Sequence, residues 1–388
     1  MWIKRKHKIV FNILRPIFTV ILYLLYRLKV SKYKLDDGPH LIISNHQTTL
    51  DPFIIALSFK KPIYFMASED LFIKGFRSKI IKYLVSPIPK KKSAADINAI
   101  KICMQIKKEG GNIAVFPEGN RTYSGMLCYI DPAIVKLIRL LQIPVIFYNI
   151  QGGYGTSPRW ASNIRRGKMK GFVKTVLKPE DYQNLSDDEL YTFIKTNLNV
   201  VDAPSEIPFK SKRAAEKLER VLYLCPECHQ VNTLYSKKDK IKCKKCHLSV
   251  EYTPHLTFNG IKDFKIVNDW YKYQEKFIEN YNFSDDDEFI FVDKDVNLYE
   301  TTRTKKSVYL GLGVFSISKK YLVFANKEFT IYFKLDKISG MTIIGKHKLN
   351  YYTNKKTYQI KGKPILNVLK YMQIFYRIKG VNNELFRL

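Results

Sequence analysis

Acidic side chains are scarce in this sequence: 35 Asp and Glu stand against 66 Lys and Arg, a formal net charge of +31. A chain so unbalanced repels itself unless polyanions are near, which selects nucleic acid, anionic lipid or phosphorylated substrates as partners. Charge does not choose among the three, because the basic residues form separate clusters at Lys4 to Lys8, Lys90 to Lys92, Arg165 to Lys170 and Lys237 to Lys245. Cysteine is also sparse. Of six, Cys103 and Cys128 stand alone, while Cys225, Cys228, Cys243 and Cys246 are tightly spaced, a pattern that reads as metal binding and not as disulfides. Thiolate ligands must stay reduced, which predicts a protein on the cytoplasmic face.

Internal repeats and low-complexity tracts are missing as well. The N-terminal MWIKRKHK and the following IVFNILRPIFTVILYLLYRL are not succeeded by a small-residue cleavage site, which argues against a removed signal peptide. The uninterrupted apolar run from Pro16 to Tyr26 falls short of the roughly 20 residues a membrane-spanning helix needs. Residues 1–30 therefore predict a helix or helical pair lying in the membrane interface, its basic side toward anionic headgroups.

What is present suits a folded protein: 46% hydrophobic and 26% charged residues leave little room for extended disorder, and 388 residues predict two or three domains. From Pro39 to about Leu177, the β-prone runs LIISN, PIYFMA, NIAVF, IPVIFYNI and GFVKTVL alternate with amphipathic segments, so an α/β domain with a largely parallel sheet is expected. One such segment places Ile97, Ile100, Cys103 and Met104 on one helical face before Gly110 and Gly111. A basic, helix-prone connector, SKRAAEKLERVLYL, leads to the four cysteines. After a helix-like stretch around Trp270 and an acidic turn at Asp285 to Asp287, the runs EFIFVD, VNLYE, SVYLG, YLVFAN and FTIYF predict a small antiparallel domain. A last helix carrying Val368, Met372, Phe375 and Tyr376 follows Pro364 and closes that domain near Gly380.

Two motifs carry chemistry. In LIISNHQTTLDPF, His46 directly follows a strand and Asp51 opens the next helix; imidazole takes a proton near neutral pH, and a carboxylate fixes its tautomer. Asp51-Pro52 is also a good helix start, a structural reason for the same residues. In NIAVFPEGNRT, Glu118, Gly119 and Arg121 occupy a second strand exit, where Gly allows close backbone approach and Arg presents a donor fork suited to phosphate.

Together these motifs, over residues 35 to 180, resemble the glycerolipid acyltransferase family that contains the 1-acylglycerol-3-phosphate acyltransferases. The family's NHxxxxD motif is matched by Asn45, His46 and Asp51, and its FPEGxRS motif by Phe116, Pro117, Glu118, Gly119 and Arg121, with Thr122 in place of Ser. The resemblance implies His46 and Asp51 as the catalytic pair and Glu118, Gly119 and Arg121 in binding the acceptor's phosphate. It implies transfer of a fatty acyl group from acyl-CoA or acyl carrier protein to lysophosphatidic acid, giving phosphatidic acid, with no metal in the reaction. Other lysolipids or glycerol 3-phosphate are the alternative acceptors. A backbone or hydroxyl donor near Thr48 or Thr49 could stabilise the oxyanion, and nothing in the sequence selects one. Where the family has an arginine between the motifs, this sequence reads SPIPKKKSAAD, so Lys91 or Lys92 would stand in; IPVIF keeps only the first proline, Pro144, of the family's later block.

CPEC and CKKC, fourteen residues apart, resemble a zinc ribbon: Cys225, Cys228, Cys243 and Cys246 would hold a structural Zn²⁺ with no open position for catalysis. The lysines between Lys237 and Lys245 raise a rival reading, an inert membrane-tethered adaptor whose ribbon binds nucleic acid or protein. The intact acid, base and phosphate groups weigh against it, and nucleic acid is not the expected partner. The C-terminal strands followed by one helix resemble lipid-binding domains of the pleckstrin-homology or GRAM type. The expected divisions are 1–30 membrane-associating helices, 31–215 acyltransferase domain, 216–254 ribbon and 255–388 β-rich domain.

Overall fold

The structure, a computed structural model, describes residues 1–68, 82–90, 96–283, 288–301, 307–354, 356–362 and 366–380. Lys91, Lys92, Asp285 to Asp287 and Pro364 lie outside the described residues. The chain divides into two compact units, one of residues 1–158 and 164–210, the other of residues 159–163 and 211–387.

The first unit is built on a seven-stranded sheet. Its strands are β1 (Lys29–Val30), β2 (Leu41–Ser44), β3 (Ile63–Ser68), β4 (Ile88–Lys90), β5 (Asn112–Val115), β6 (Val145–Gln151) and β7 (Lys170–Leu177), in the order β1-β7-β6-β2-β5-β3-β4. Strands β6, β2, β5, β3 and β4 run parallel. Strand β7 pairs antiparallel with β6, so the sheet is mixed.

Side-chain alternation distributes two cores. Leu41 and Ile43, Ile113 and Val115, and Val145 and Phe147 face one core together with α3 (Ile97–Lys108), α4 (Ala133–Leu141) and α5 (Asp187–Leu198). Ile42, Ala114, Ile146 and Tyr148 face the other, with α1 (Arg5–Tyr26) and α2 (Asp51–Ser58). Strands covered on both faces explain the continuous apolar runs in the sequence. Helix α3 starts on Asp96, whose carboxylate accepts from the amides of Asn98 and Ala99. Its buried face is Ala99, Cys103 and Ile106, whereas Ile97, Ile100 and Met104 are exposed, so the expected face is displaced by part of a turn.

Helix α1 is continuous for 22 residues, about 33 Å at 1.5 Å per residue, and is long and apolar enough to cross a membrane, unlike the shorter run the sequence suggested. The polar interruptions below Pro16 break the hydropathy without breaking the helix. One face packs on the unit: Phe18 stacks on Phe53 at 4.1 Å, Leu22 and Tyr26 are buried, and Arg15 donates to the Leu57 carbonyl. The other face exposes Ile9, Ile13, Ile17, Val20, Leu24 and Leu25.

In the second unit, β8 (Leu234–Lys237), β9 (Lys240–Cys243), β10 (Ser249–Tyr252) and β11 (Phe258–Asn259) form an antiparallel sheet around the cysteines. The connector before it is no helix. Lys217 adopts a left-handed φ of 72° and only a 3₁₀ turn, Leu218–Arg220, follows, because the apolar residues from Leu218 to Leu224 become core.

Helix α6 (Val267–Glu279) ties this sheet in: Trp270 donates to the Leu224 carbonyl at 2.9 Å, and Gln274 accepts from the amide of Tyr223. A second, seven-stranded antiparallel sheet comprises β12 (Phe291–Thr301), β13 (Val308–Ile317), β14 (Tyr321–Ala325), β15 (Thr330–Lys334), β16 (Ile338–Ile344), β17 (Lys348–Thr353) and β18 (Thr357–Lys361). Their order is β15-β14-β13-β12-β18-β17-β16, and helix α7 (Leu369–Ile378) follows. EFIFVD and VNLYE prove to be one strand with a bulge between Asp293 and Val296, and the last three strands were not foreseen.

Candidate active site and metal centre

Strands β2 and β5 are neighbours, with Ile43 opposite Val115, so the two motifs leave the sheet side by side at the carboxyl ends of their strands. Asn45 pins the first exit by a two-way bond with the main chain of Ile150, 2.9 Å each way. His46 Nδ1 then lies 2.8 Å from Asp51 Oδ2.

Asp51 is fully buried and does not cap its helix; its carboxylate turns back to the loop. It accepts from the amides of Gln47 at 2.7 Å and Thr48 at 2.9 Å, and from the Thr48 hydroxyl at 2.5 Å. An ionised carboxylate only accepts, so Nδ1 carries the imidazole proton and Nε2 is left as the basic nitrogen. The same bonds occupy both donors of Thr48, which corrects the expectation of an oxyanion donor there; Thr49 is exposed. The His46 ring stacks on Phe116 at 4.2 Å.

Glu118 is turned inward. Its Oε1 accepts from the amide of His46 at 2.6 Å and its Oε2 from the amide of Cys128 at 2.8 Å. Burial pushes its carboxyl up to about 7, against the pull of those amides. Gly119 holds a left-handed φ of 65°, closing a turn in which its amide donates to the Phe116 carbonyl, and a Cβ built on it meets nothing within 4 Å. Arg121 follows, half-buried, and the amide of Thr122 donates back to the His46 carbonyl. Main-chain bonds thus fasten the two motif loops together.

Three further residues at this site had no signal of their own in the sequence. Gln47 is buried and accepts from the amide of Gly153 at 2.8 Å; Asp202 accepts from those of Gly152 and Tyr154. Burial pushes Asp202 up to about 6, opposed by those amides and by the Gln47 side chain. Tyr26, the last residue of α1, hydrogen bonds Ser157 and lies near enough to Asp51 and Arg121 to feel both charges.

The four ribbon cysteines are brought together, their sulfurs all within 4.8 Å of one another. Cys225 and Cys246 are 3.6 Å apart, and Cys228 and Cys243 are 3.7 Å apart. Thiolates about 2.3 Å from a tetrahedral Zn²⁺ lie about 3.8 Å apart, so the set fits that ion. The Lys245 amide donates to Cys243 Sγ at 3.3 Å, which supports a thiolate there.

The family model described as Acyltransferase matches residues 27–150, and that of the DNA directed RNA polymerase 7 kDa subunit zinc ribbon matches residues 218–252. A chloroplastic 1-acyl-sn-glycerol-3-phosphate acyltransferase of Brassica napus is 24% identical over 169 residues, 42% of this chain and 48% of that one. The 1-acyl-sn-glycerol-3-phosphate acyltransferase of Saccharomyces cerevisiae is 27% identical over 191 residues, 46% of this chain and 60% of that one. This chain spans about half the length of these curated relatives. A solved 1-acyl-sn-glycerophosphate acyltransferase of Thermotoga maritima is similar at 20% identity with a TM-score of 0.42, covering 50% of this chain and 78% of that one. Residues 27–150 thus match an acyltransferase family model and are similar to 1-acyl-sn-glycerol-3-phosphate acyltransferases, and residues 218–252 of the same chain match a zinc-ribbon model.

Proposed function

We propose that the chain transfers a fatty acyl group from a thioester, acyl-CoA or acyl carrier protein, to the free hydroxyl of 1-acylglycerol 3-phosphate, giving phosphatidic acid. The contact that carries this reading is His46 Nδ1 to Asp51 Oδ2, which leaves Nε2 as the base beside the Arg121 turn. The acceptor oxygen attacks the thioester carbonyl carbon while Nε2 takes its proton. The tetrahedral intermediate then collapses, the carbon–sulfur bond breaks, and the imidazolium returns the proton to the departing thiolate. The products are an ester and a free thiol. Asp51 stabilises the imidazolium between the two proton transfers. Arg121 holds the acceptor's phosphate, and Glu118 and Gly119 shape the turn that presents it.

A membrane-embedded acceptor requires the protein at the bilayer. Helix α1 supports this: its inner face is packed on the unit, and its outer face is apolar, as for a helix lying in the interface of the cytoplasmic leaflet. The four thiolates would hold a structural Zn²⁺, and the seven antiparallel strands followed by α7 support reading the last region as a lipid-binding domain of the pleckstrin-homology or GRAM type.

The test is incorporation of labelled acyl groups by the purified full chain, with acyl-CoA and acyl carrier protein donors against lysophosphatidate, glycerol 3-phosphate and other lysolipids. Labelled phosphatidate from lysophosphatidate is expected; acylation of none of these acceptors would overturn the reading.

A further inference from the structure

The basic cluster from Arg165 to Lys170 has no part in the chemistry above, and its geometry is unusual. Exposure alternates residue by residue: Arg166, Lys168 and Lys170 point out, while Arg165, Gly167 and Met169 are buried. The segment is therefore extended with one face against the protein, and Gly167 lies so close to Phe209 that a Cβ would come within 2.0 Å of that ring.

Its neighbours on both sides are also cations. Lys170 is in register with Lys29 across the β7–β1 ladder, and both are exposed. Arg166 is opposite Lys210, the two exchanging main-chain bonds of 2.9 Å each way. Like charges directly opposite one another destabilise a pair of strands. With Arg27 and Lys168 these residues make a stripe of six exposed cations, none ion-paired among the described residues.

The stripe adjoins the apolar face of α1 along the chain. Arg27 is the C-cap of that helix, and Val20, Ile21, Leu24 and Leu25, in the two turns before it, are exposed. A cationic row continuous with an apolar face matches a bilayer surface, in which headgroups meet the charges and acyl chains meet the helix. Nucleic acid would satisfy the cations and leave the apolar face in water.

We infer that Arg27, Lys29, Arg166, Lys168, Lys170 and Lys210 form a docking surface for anionic phospholipid headgroups, continuous with the outer face of α1. This rests on the reading of the protein as one that acts at a membrane, but it is tested by binding alone.

The experiment is co-sedimentation of the full chain with vesicles of phosphatidylcholine and of phosphatidylcholine mixed equally with phosphatidylserine. Wild type should prefer the anionic vesicles, and raising salt should erase the preference. In R166E/K168E/K170E, binding to anionic vesicles should fall about a hundredfold, with binding to neutral vesicles unchanged. Lys29→Glu faces Lys170 with an opposite charge, so its melting temperature should not fall while its affinity for anionic vesicles drops; a merely structural role for Lys29 would not part the two readouts. Equal wild-type binding to both vesicles, undiminished binding by the triple variant, or tighter capture by duplex DNA than by anionic vesicles would overturn the inference. Vesicle preference without acylation of any acceptor would instead count against the proposed reaction and leave this surface standing.

Discussion

The carboxylate of Asp51 and the sulfurs of the ribbon cysteines are both acidic groups held by their surroundings, the first fully buried and the second reaching the surface at Cys246, and they are stabilised by different means. Asp51 is surrounded by donors from its own loop: two amides, one hydroxyl and the His46 ring. Its site is complete in the polypeptide, and the folded loop prepays the orientation of the base. The four sulfurs within 4.8 Å of one another also accept from neighbouring groups, among them the Lys245 and Leu248 amides and the Thr233 side chain, yet four thiolates at that distance repel strongly unless a cation lies among them. Hydrogen bonds from the loop thus organise the first site by themselves, whereas the proposed zinc site of the ribbon needs an ion among its sulfurs as well.

The largest effect that would sharpen this contrast is metal removal. Structural zinc contributes on the order of 10 kcal/mol to the folding of such ribbons, so a chelator should unfold this one. Trp270 is fully buried and bonded to the Leu224 carbonyl next to Cys225, so its emission should shift to the red. By hydrogen exchange, the Lys245 amide should lose protection while those of Gln47 and Thr48 keep theirs. Equal loss at both places, or at neither, would break the contrast.

A smaller effect concerns Glu118, which with Asp202 is held above the ordinary carboxylate range at the first site. Burial raises it from 4.5 to about 7 in the folded protein, so between those pH values the folded state keeps a proton the unfolded chain has lost. Its contribution is therefore present at low pH and is lost as pH rises through about 7. Glu118→Gln removes the titration and one of two amide acceptors. It should be less stable than wild type at pH 5, and the gap should narrow by about 1–3 kcal/mol at pH 8, measured by urea unfolding. A gap that does not change with pH would mean the carboxyl does not titrate in that window.

The sequence disclosed most where strands end in chemistry. His46, Asp51, Glu118, Gly119 and Arg121 could be found because both motifs follow apolar runs, and the parallel pairing of β2 with β5 then makes them neighbours. The aim of each side chain was not legible. Asp51 opens a helix and could equally have capped it, and Glu118 takes one of its partners from an amide ten residues away. Asp202 arrives from beyond β7 and has no local signature. The length of α1 was hidden by Arg15, Asn12 and Lys8, which interrupt hydropathy but favour or tolerate a helix. Strands β16 to β18 were missed because ISGMTII, KLNYYT and TYQIK mix polar and apolar residues without clear alternation.

In the proposed reaction a histidine base, oriented by a buried carboxylate, carries the acyl transfer. This role is tested most directly by comparing wild type with His46→Ala for labelled acyl transfer to lysophosphatidate, with melting and vesicle binding measured on the same preparations. Turnover should fall at least about a thousandfold with melting and binding unchanged. Turnover near the wild-type rate in a folded His46→Ala protein would contradict it.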